Sequence, residues 1–279
     1  MTLSILVPSR NMERYVDRFF DSIYRGSPDE TRFEVVVADS SDDGTMERLQ
    51  RHQKSHANVK VVHFDRRILA GTARNEAYKA SSGDYVWSVD IDDSLYAQDT
   101  LSLILQKLDE DNGSKDIYYC PYVTSLDPDA TPFAMKDCTV ASMARAPVAA
   151  WTRLYRRELY VEYPDYMPEN VAAHYRLVDK CLSVGQFEFP TYVYDKKNPQ
   201  AMSRTYDRML AMPHNLLTLA ATKELEQHEL QQEHVAGVVH TLADMFDLRD
   251  KLKQPEVRKA WLARLRTEYS NFMSGFYVH

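Results

Sequence analysis

Three carboxylates stand within four positions at Asp90-Ile91-Asp92-Asp93, directly behind the apolar run 85–89. Their mutual repulsion is costly unless positive charge sits among them. A divalent cation with oxygen ligands, Mg²⁺ or Mn²⁺ carrying a diphosphate, is the usual occupant of such a group. The same residues would equally make an acidic turn capping a helix that starts near Gln98, so the motif alone decides little. Two further segments add to it. Asp39-Ser40-Ser41-Asp42-Asp43-Gly44-Thr45 has the short polar side chains and the glycine of a tight loop, in which Asp43 or Thr45 suits a helix cap and Asp39 is left to accept hydrogen bonds from a nucleoside. Gly71-Thr72-Ala73-Arg74-Asn75 opens a helical pattern, so its backbone N–H groups and the Arg74 guanidinium could face a diphosphate together.

These segments need a scaffold that brings them into one crevice. Apolar, β-branched runs at 3–7, 33–38, 59–64 and 85–89 end at Pro8, Asp39, Asp65 and Asp90, and 116–123 is a fifth candidate strand. Between them, 15–24, 45–53, 72–81 and 98–111 carry apolar residues at helical spacing. Strands alternating with helices predict an α/β domain with a largely parallel sheet, and ligands of such sheets bind beyond the carboxyl ends of the strands, where Asp39 and Asp90 fall. From Pro121 to Pro147 the pattern loosens, then recovers at 151–160 and 171–183, a stretch that reads as loops and short elements covering one edge of the sheet. Beyond about Tyr206, Val235, Val238, Val239, Leu242, Met245, Phe246 and Leu252 recur at helical spacing, and a second helix is expected from Pro255 towards Tyr269.

Composition narrows the class. With 279 residues, 44% apolar and 27% charged, the chain can bury a full core and is too hydrophobic for a disordered polymer. No run approaches the ~20 apolar residues of a membrane span, and the start lacks a basic region followed by an apolar signal segment, so a cytosolic location is expected. Cys120, Cys138 and Cys181 are too few and too widely spaced for a disulfide framework or a thiolate metal site. A net charge of −7 argues against generic nucleic-acid binding without excluding a local basic face.

The sequence resembles the inverting glycosyltransferases of family two, which have the GT-A fold. The resemblance rests on Val7-Pro8-Ser9-Arg10-Asn11, on 39–45, on 71–75, and on Gly83-Asp84-Tyr85 leading to Asp93. It continues through Trp151-Thr152-Arg153-Leu154-Tyr155-Arg156-Arg157, similar to the family's Leu-Tyr-Arg-Arg segment near the acceptor, and Tyr192-Val193-Tyr194 with a later Ser203. It implies a GT-A domain over 1–206, with a nucleotide-sugar half at 1–120 and an acceptor half at 121–206, and a helical extension at 207–279. It further implies a UDP-sugar or related donor held by Pro8, Ser9, Arg10, Asp39, Arg74, Asp90, Ile91 and Asp92, Mn²⁺ or Mg²⁺ at Asp92 and Asp93, and an acceptor near Trp151, Arg153, Arg156 and Arg157.

Family members place their general base as the Asp of a Glu-Asp pair at a helix start. The matching stretch here is Met167-Pro168-Glu169-Asn170, and the amide of Asn170 cannot take up a proton. Three possibilities stand: Glu169 is the base, Asp165 replaces it, or the alignment slips by one residue. Glu169 and Asn170 could also simply cap the helix containing His174, itself either a ligand or a packed side chain.

Three functions compete on this reading: a hexosyl- or pentosyltransferase, a nucleotide-sugar-binding protein without transfer, suggested by Asn170, and a nucleotidyltransferase, disfavoured because 8–13 lacks the glycine-rich loop. For the acceptor, a saccharide or glycoconjugate is expected first. Hydroxymethylated DNA is the alternative, with Arg153, Arg156, Arg157, Lys196, Lys197, Arg204 and Arg208 as a basic face and Trp151 stacking on an extruded base.

Overall fold

The structure is a computed structural model that describes residues 1–124, 130–164 and 169–196, together with Pro255, Glu256, Lys259 and Ala263. In chain order the elements are β1 (Leu3–Ser9), α1 (Glu13–Tyr24), β2 (Phe33–Asp39), α2 (Thr45–Ser55), β3 (Val59–His63), α3 (Ala70–Ala80), β4 (Tyr85–Ser88), β5 (Ser94–Leu95), α4 (Thr100–Glu110), β6 (Ile117–Tyr119), β7 (Tyr122–Val123), α5 (Val140–Arg145), β8 (Arg153–Arg156), α6 (Glu169–Asp179), β9 (Val184–Gln186) and β10 (Tyr192–Val193).

Seven strands form the main sheet in the order β3-β2-β1-β4-β8-β6-β9, and β5-β10-β7 form a small second sheet. The strands β1 to β4 run parallel, as the alternation of strands and helices predicts. Each of the seven residues of β2 is buried, which is what a strand covered on both faces requires. Because successive side chains point to opposite faces, Ile5, Val7, Val35 and Val37 join one core cluster while Leu6, Val36 and Ala38 join the other. The first cluster is completed by Val16, Phe19, Phe20 and Ile23 of α1, Leu49 of α2, and Leu101, Ile104, Leu105 and Leu108 of α4. The second takes Ala73 and Ala77 of α3, Met143 and Ala144 of α5, and Leu177 and Val178 of α6.

Two expectations are corrected. The run 116–123 is not one strand: it breaks at Cys120-Pro121, so that β6 stays in the main sheet and β7 pairs with β10. Proline has no N–H to continue a ladder, and the Pro121 carbonyl instead accepts from Thr191 N at 2.7 Å. Nor does the stretch after Pro147 cover only an edge. The strand β8 lies inside the sheet, antiparallel to both β4 and β6, with Leu154 and Tyr155 buried on its two faces. Nothing local in Arg153-Leu154-Tyr155-Arg156 distinguishes that place from an edge, because the pairing partners are distant in sequence. Among the described residues no helix is long and apolar enough to cross a membrane. The helical extension expected at 207–279 lies outside the described residues apart from Pro255, Glu256, Lys259 and Ala263.

Candidate functional site

The parallel strands β1, β2 and β4 deliver Ser9, Asp39 and Asp90 to one edge of the sheet. Beyond β4 the chain turns, with Asp93 N donating to the Asp90 carbonyl at 3.2 Å. Two anchors hold that turn. On one side, Asp90 N donates to the Tyr192 phenol at 3.1 Å, and the phenol donates to Asp93 Oδ2 at 2.7 Å, while Asp195 N donates to Asp93 Oδ1 at 2.7 Å. On the other, Arg18 of α1 donates to the Asp92 carbonyl and pairs with Asp195 Oδ2 at 2.8 Å. Asp93 is 2% exposed. Burial, reinforced by the charges of Asp92 and Asp90, pushes its carboxyl up to about 8, against the opposing pull of its bonds to Tyr192 and Asp195. Ile91 is likewise buried and packs in the core, so only its backbone borders the crevice. The side chains of Asp90 and Asp92 are partly exposed.

At the end of β2, Asp39 is fully buried. Its Oδ1 accepts from Ser41 Oγ at 2.6 Å, and its Oδ2 accepts from Ser41 N at 3.2 Å and bonds His63 Nδ1 at 3.0 Å. The N-cap of α2 is Gly44, not Asp43 or Thr45, and it has no side-chain cap; Asp43 instead closes the turn before the helix, its Oδ1 accepting from Thr45 N at 3.0 Å. The preceding loop is laced to Ser9-Arg10-Asn11: Ser40 N donates to the Ser9 carbonyl, and Asn11 exchanges hydrogen bonds with Asp42 at 2.7 and 3.1 Å. Asn11 has φ +55°, a left-handed conformation that asparagine tolerates better than most residues. Ser9, paired with Asp39 across β1 and β2, and Arg10, which follows it, keep Oγ and Nε buried without a hydrogen-bond partner, and Pro8 precedes them on β1.

Arg74 is the hub between this crevice and α6. Buried to 2% exposure, it donates from Nε to Ser88 Oγ at 2.9 Å, from Nη2 to Asp90 Oδ1 at 3.0 Å and from Nη1 to Glu169 Oε1, and it lies over the Tyr163 ring at 5.4 Å. Burial alone would weaken its charge, but Glu169 and Asp90 outweigh that and hold the guanidinium above its ordinary range. The sequence predicts a direct clamp on a diphosphate, whereas the structure turns its donors to Ser88, Asp90 and Glu169. Next to it, Asn75 takes Tyr163 N and the Tyr160 phenol on Oδ1 and donates to the Tyr163 carbonyl at 2.8 Å, fixing 160–163 against α3. Gly71 allows that approach, since a Cβ there would lie 2.5 Å from the Pro164 carbonyl oxygen and 3.2 Å from Glu169 Cβ.

At the start of α6, Glu169 is fully buried, and its Oε2, like Asn170 Oδ1, has no hydrogen-bond partner. His174 is buried against α5, with Nε2 3.1 Å from the Ala144 carbonyl. Asp165, Met167 and Pro168 lie outside the described residues, as do Lys197, Ser203, Arg204 and Arg208.

The expected basic, base-stacking face is not formed by the described members of that set. Trp151 is 5% exposed and stacks on Tyr192 at 4.7 Å, with Tyr122 edge-on at 4.5 Å, so its faces are already covered. Arg153 is buried, Arg156 lies between Asp116 and Glu158, and Arg157 donates to Ser81 and the Tyr78 carbonyl. Lys196 is exposed.

Arg18, His63, Asn75, Tyr163 and Asp195 also border the site, beyond the residues that the sequence singles out. Asn75 stands within the motif at 71–75, whereas Arg18 gives no local signal, because its partners are 74 and 177 positions away. Among the described residues no three His, Cys, Asp or Glu side chains converge as a closed metal centre would need.

Comparison with known proteins agrees with this geometry. The profile of glycosyl transferase family 2 matches residues 4–173. The chain belongs to that family. It is similar to the poly(ribitol-phosphate) beta-N-acetylglucosaminyltransferase TarS of Staphylococcus aureus (strain Mu50 / ATCC 700699), 26% identical over 175 residues that make up 61% of this chain and 30% of the relative. The chain therefore spans about a third of that relative's length. Among solved structures, S. aureus TarS 1-349 in complex with UDP-GlcNAc superposes with a TM-score of 0.76 at 20% identity, covering 96% of this chain and 80% of that one. The mannosyltransferase PcManGT of Pyrobaculum calidifontis in complex with GDP-Man and Mn²⁺ matches at a TM-score of 0.60 and 16% identity, covering 97% and 86%. The fold is GT-A.

Proposed function

We propose that this family-two protein is an inverting glycosyltransferase that moves a sugar from a nucleotide diphosphate donor, most naturally a UDP-sugar, to a hydroxyl of a saccharide or glycoconjugate. The observation that carries the proposal is the Arg74 bridge, one buried guanidinium joined to Asp90 at the donor-side strand end and to Glu169 at the start of α6. That bridge sets a carboxylate for proton transfer against a carboxylate-rich turn suited to a diphosphate.

The nucleoside would lie against Asp39, with Ser9 Oγ and Arg10 Nε as buried polar atoms still able to bond it. Burial first, and then the charges of Asp92 and Asp90, raise the Asp93 carboxyl, and a turn that gathers three carboxylate side chains offers the oxygen donors that suit a hard divalent cation. Asp92, together with the donor's own diphosphate, would hold Mn²⁺ or Mg²⁺, whose chemistry is to neutralise charge on the departing nucleotide. Asp93, already bonded to Tyr192 and Asp195, holds the turn in shape. The acceptor oxygen then attacks the anomeric carbon as the bond to the diphosphate breaks, the diphosphate leaves with the electron pair, and Glu169 Oε2 takes the hydroxyl proton. Attack from the face opposite the leaving group inverts the anomeric centre. Arg74 orients Glu169 and Asp90 without touching substrate.

The UDP preference is supported by the UDP-GlcNAc in the TarS structure, and the metal by the Mn²⁺ in the mannosyltransferase structure. The test is release of nucleotide from UDP- and GDP-sugars by the full chain with Mn²⁺ present, followed by mass spectrometry over a saccharide panel. Turnover abolished by Asp92→Asn supports the transferase. Tight donor binding without turnover on any acceptor would favour the second reading, a sugar-nucleotide-binding protein, which the amide at Asn170 motivates.

A further inference from the structure

Ser9, Asp39 and His63 stand side by side at the carboxyl ends of β1, β2 and β3, paired in register. Asp39 closes the middle strand of the three, yet it is fully buried and its oxygens are engaged: Oδ1 accepts from Ser41 Oγ, and Oδ2 accepts from Ser41 N and from His63. The Ser41 hydroxyl is fixed in turn by Asn11 N, which donates to it at 2.8 Å. A carboxylate enclosed in this way orients its neighbours but presents no atom to a molecule arriving from solvent. His63 does, since its side chain is 30% exposed at the end of the edge strand β3.

The bond to Asp39 decides which ring nitrogen is available. A carboxylate only accepts, so Nδ1, 3.0 Å from Asp39 Oδ2, carries the hydrogen, and in the neutral ring Nε2 is left as an acceptor. Beside Nε2 lies the carboxylate of Asp65, 3.9 Å away and fully exposed, which has no hydrogen to give it. Nε2 is thus an acceptor of fixed tautomer on an exposed ring, at the strand end where the nucleoside is proposed to lie. Its complement is a base with an imino N–H. Uracil has one at N3, next to a carbonyl at C4, whereas cytosine has a bare N3, itself an acceptor, next to an amino group.

We infer that His63 is a specificity residue for the donor's base: its Nε2 accepts the imino N–H of a uracil-type base, while Asp39, buried behind it, holds the ring in the tautomer that allows this. The nature of the ligand rests on the reading of this crevice as a nucleotide-sugar site. The tautomer does not.

The experiment titrates the full chain, with Mn²⁺ present, with UDP and with CDP by calorimetry, two nucleotides that share the diphosphate and differ only along that edge of the base. Wild type is expected to bind UDP at least ten-fold more tightly. In His63→Asn the amide nitrogen can keep the bond to Asp39 but no atom replaces Nε2, so UDP affinity should fall to that of CDP while CDP affinity stays at the wild-type value. As a measurement that needs no variant, ¹⁵N spectra of the histidine-labelled wild type should show one Nε2 resonance that moves when UDP is added and not when CDP is added. A UDP preference that persists in His63→Asn overturns the inference, as does an equal weakening of both nucleotides, which a merely structural role would give. So do Nε2 resonances that ignore UDP. Equal affinity of the wild type for UDP and CDP overturns the inference alone and leaves the nucleotide site standing. Binding of neither nucleotide would overturn the donor reading, and the inference with it.

Discussion

The phenol of Tyr192 donates to Asp93 Oδ2 at 2.7 Å, across 99 positions of sequence, while its oxygen accepts from Asp90 N. One hydroxyl thus ties both ends of the acidic turn to the small sheet, and the turn that would carry the metal keeps its shape through a residue from the far end of the domain. Tyr192→Phe leaves the buried Asp93 carboxyl and the Asp90 N–H each short of a partner, at a cost of about 1–3 kcal/mol. Urea denaturation should show that loss, and donor titration should show weaker metal-dependent UDP-sugar binding. Wild-type donor affinity in the variant would mean that the turn holds itself.

Gly71 is required for a close approach rather than for its backbone angles. Alanine normally favours a helix, but here its Cβ would meet the Pro164 carbonyl at 2.5 Å and press on Glu169. Overpacking of this kind costs about 1–3 kcal/mol. Gly71→Ala is therefore expected to be less stable and to lose transfer rate more than UDP affinity, as read by steady-state kinetics beside calorimetry. Unchanged turnover would show that the start of α6 moves without consequence.

At the opposite end of the sheet, Glu34 Oε1 accepts from Ser4 Oγ at 2.7 Å and from Ser82 N, and its Oε2 pairs with Lys60 at 2.7 Å. Burial works against the charged carboxylate, but Lys60, Ser4 and Ser82 prevail and hold its pKa below the ordinary glutamate value. A group whose folded pKa is depressed contributes stability above its unfolded pKa, about 4.3, and loses it as pH falls through the folded value. Stability of the wild type should fall below about pH 4.5 more steeply than that of Glu34→Gln, measured by thermal melts from pH 3 to 7. Parallel acid limbs would remove Glu34 from the account.

What was legible in the sequence is what is local. The parallel strands show as apolar runs because both faces of the sheet are covered, and the acidic residues that close β2 and β4 announce the crevice. What the sequence concealed depends on contacts between distant segments. Arg74 reads as a surface phosphate clamp until Glu169, 95 positions away, and Asp90 are seen to take its donors. Trp151 reads as an exposed stacking platform until Tyr192 and Tyr122 close over it. The strand β8 carries no mark of its interior place, since a four-residue run of mixed polarity suits an edge equally well. Asn170, by contrast, was a departure visible in the sequence, and the structure adds that the partnerless carboxylate oxygen beside it belongs to Glu169.

The central claim is that Glu169 takes the acceptor proton while Arg74 joins it to the donor-side turn. Single-turnover kinetics of Glu169→Gln with a UDP-sugar, Mn²⁺ and an accepting saccharide test it most directly. The amide keeps the shape of the side chain but cannot accept the proton, so product formation should fall by about 10²–10⁴-fold while UDP-sugar still binds. Transfer at the wild-type rate in Glu169→Gln would contradict the account.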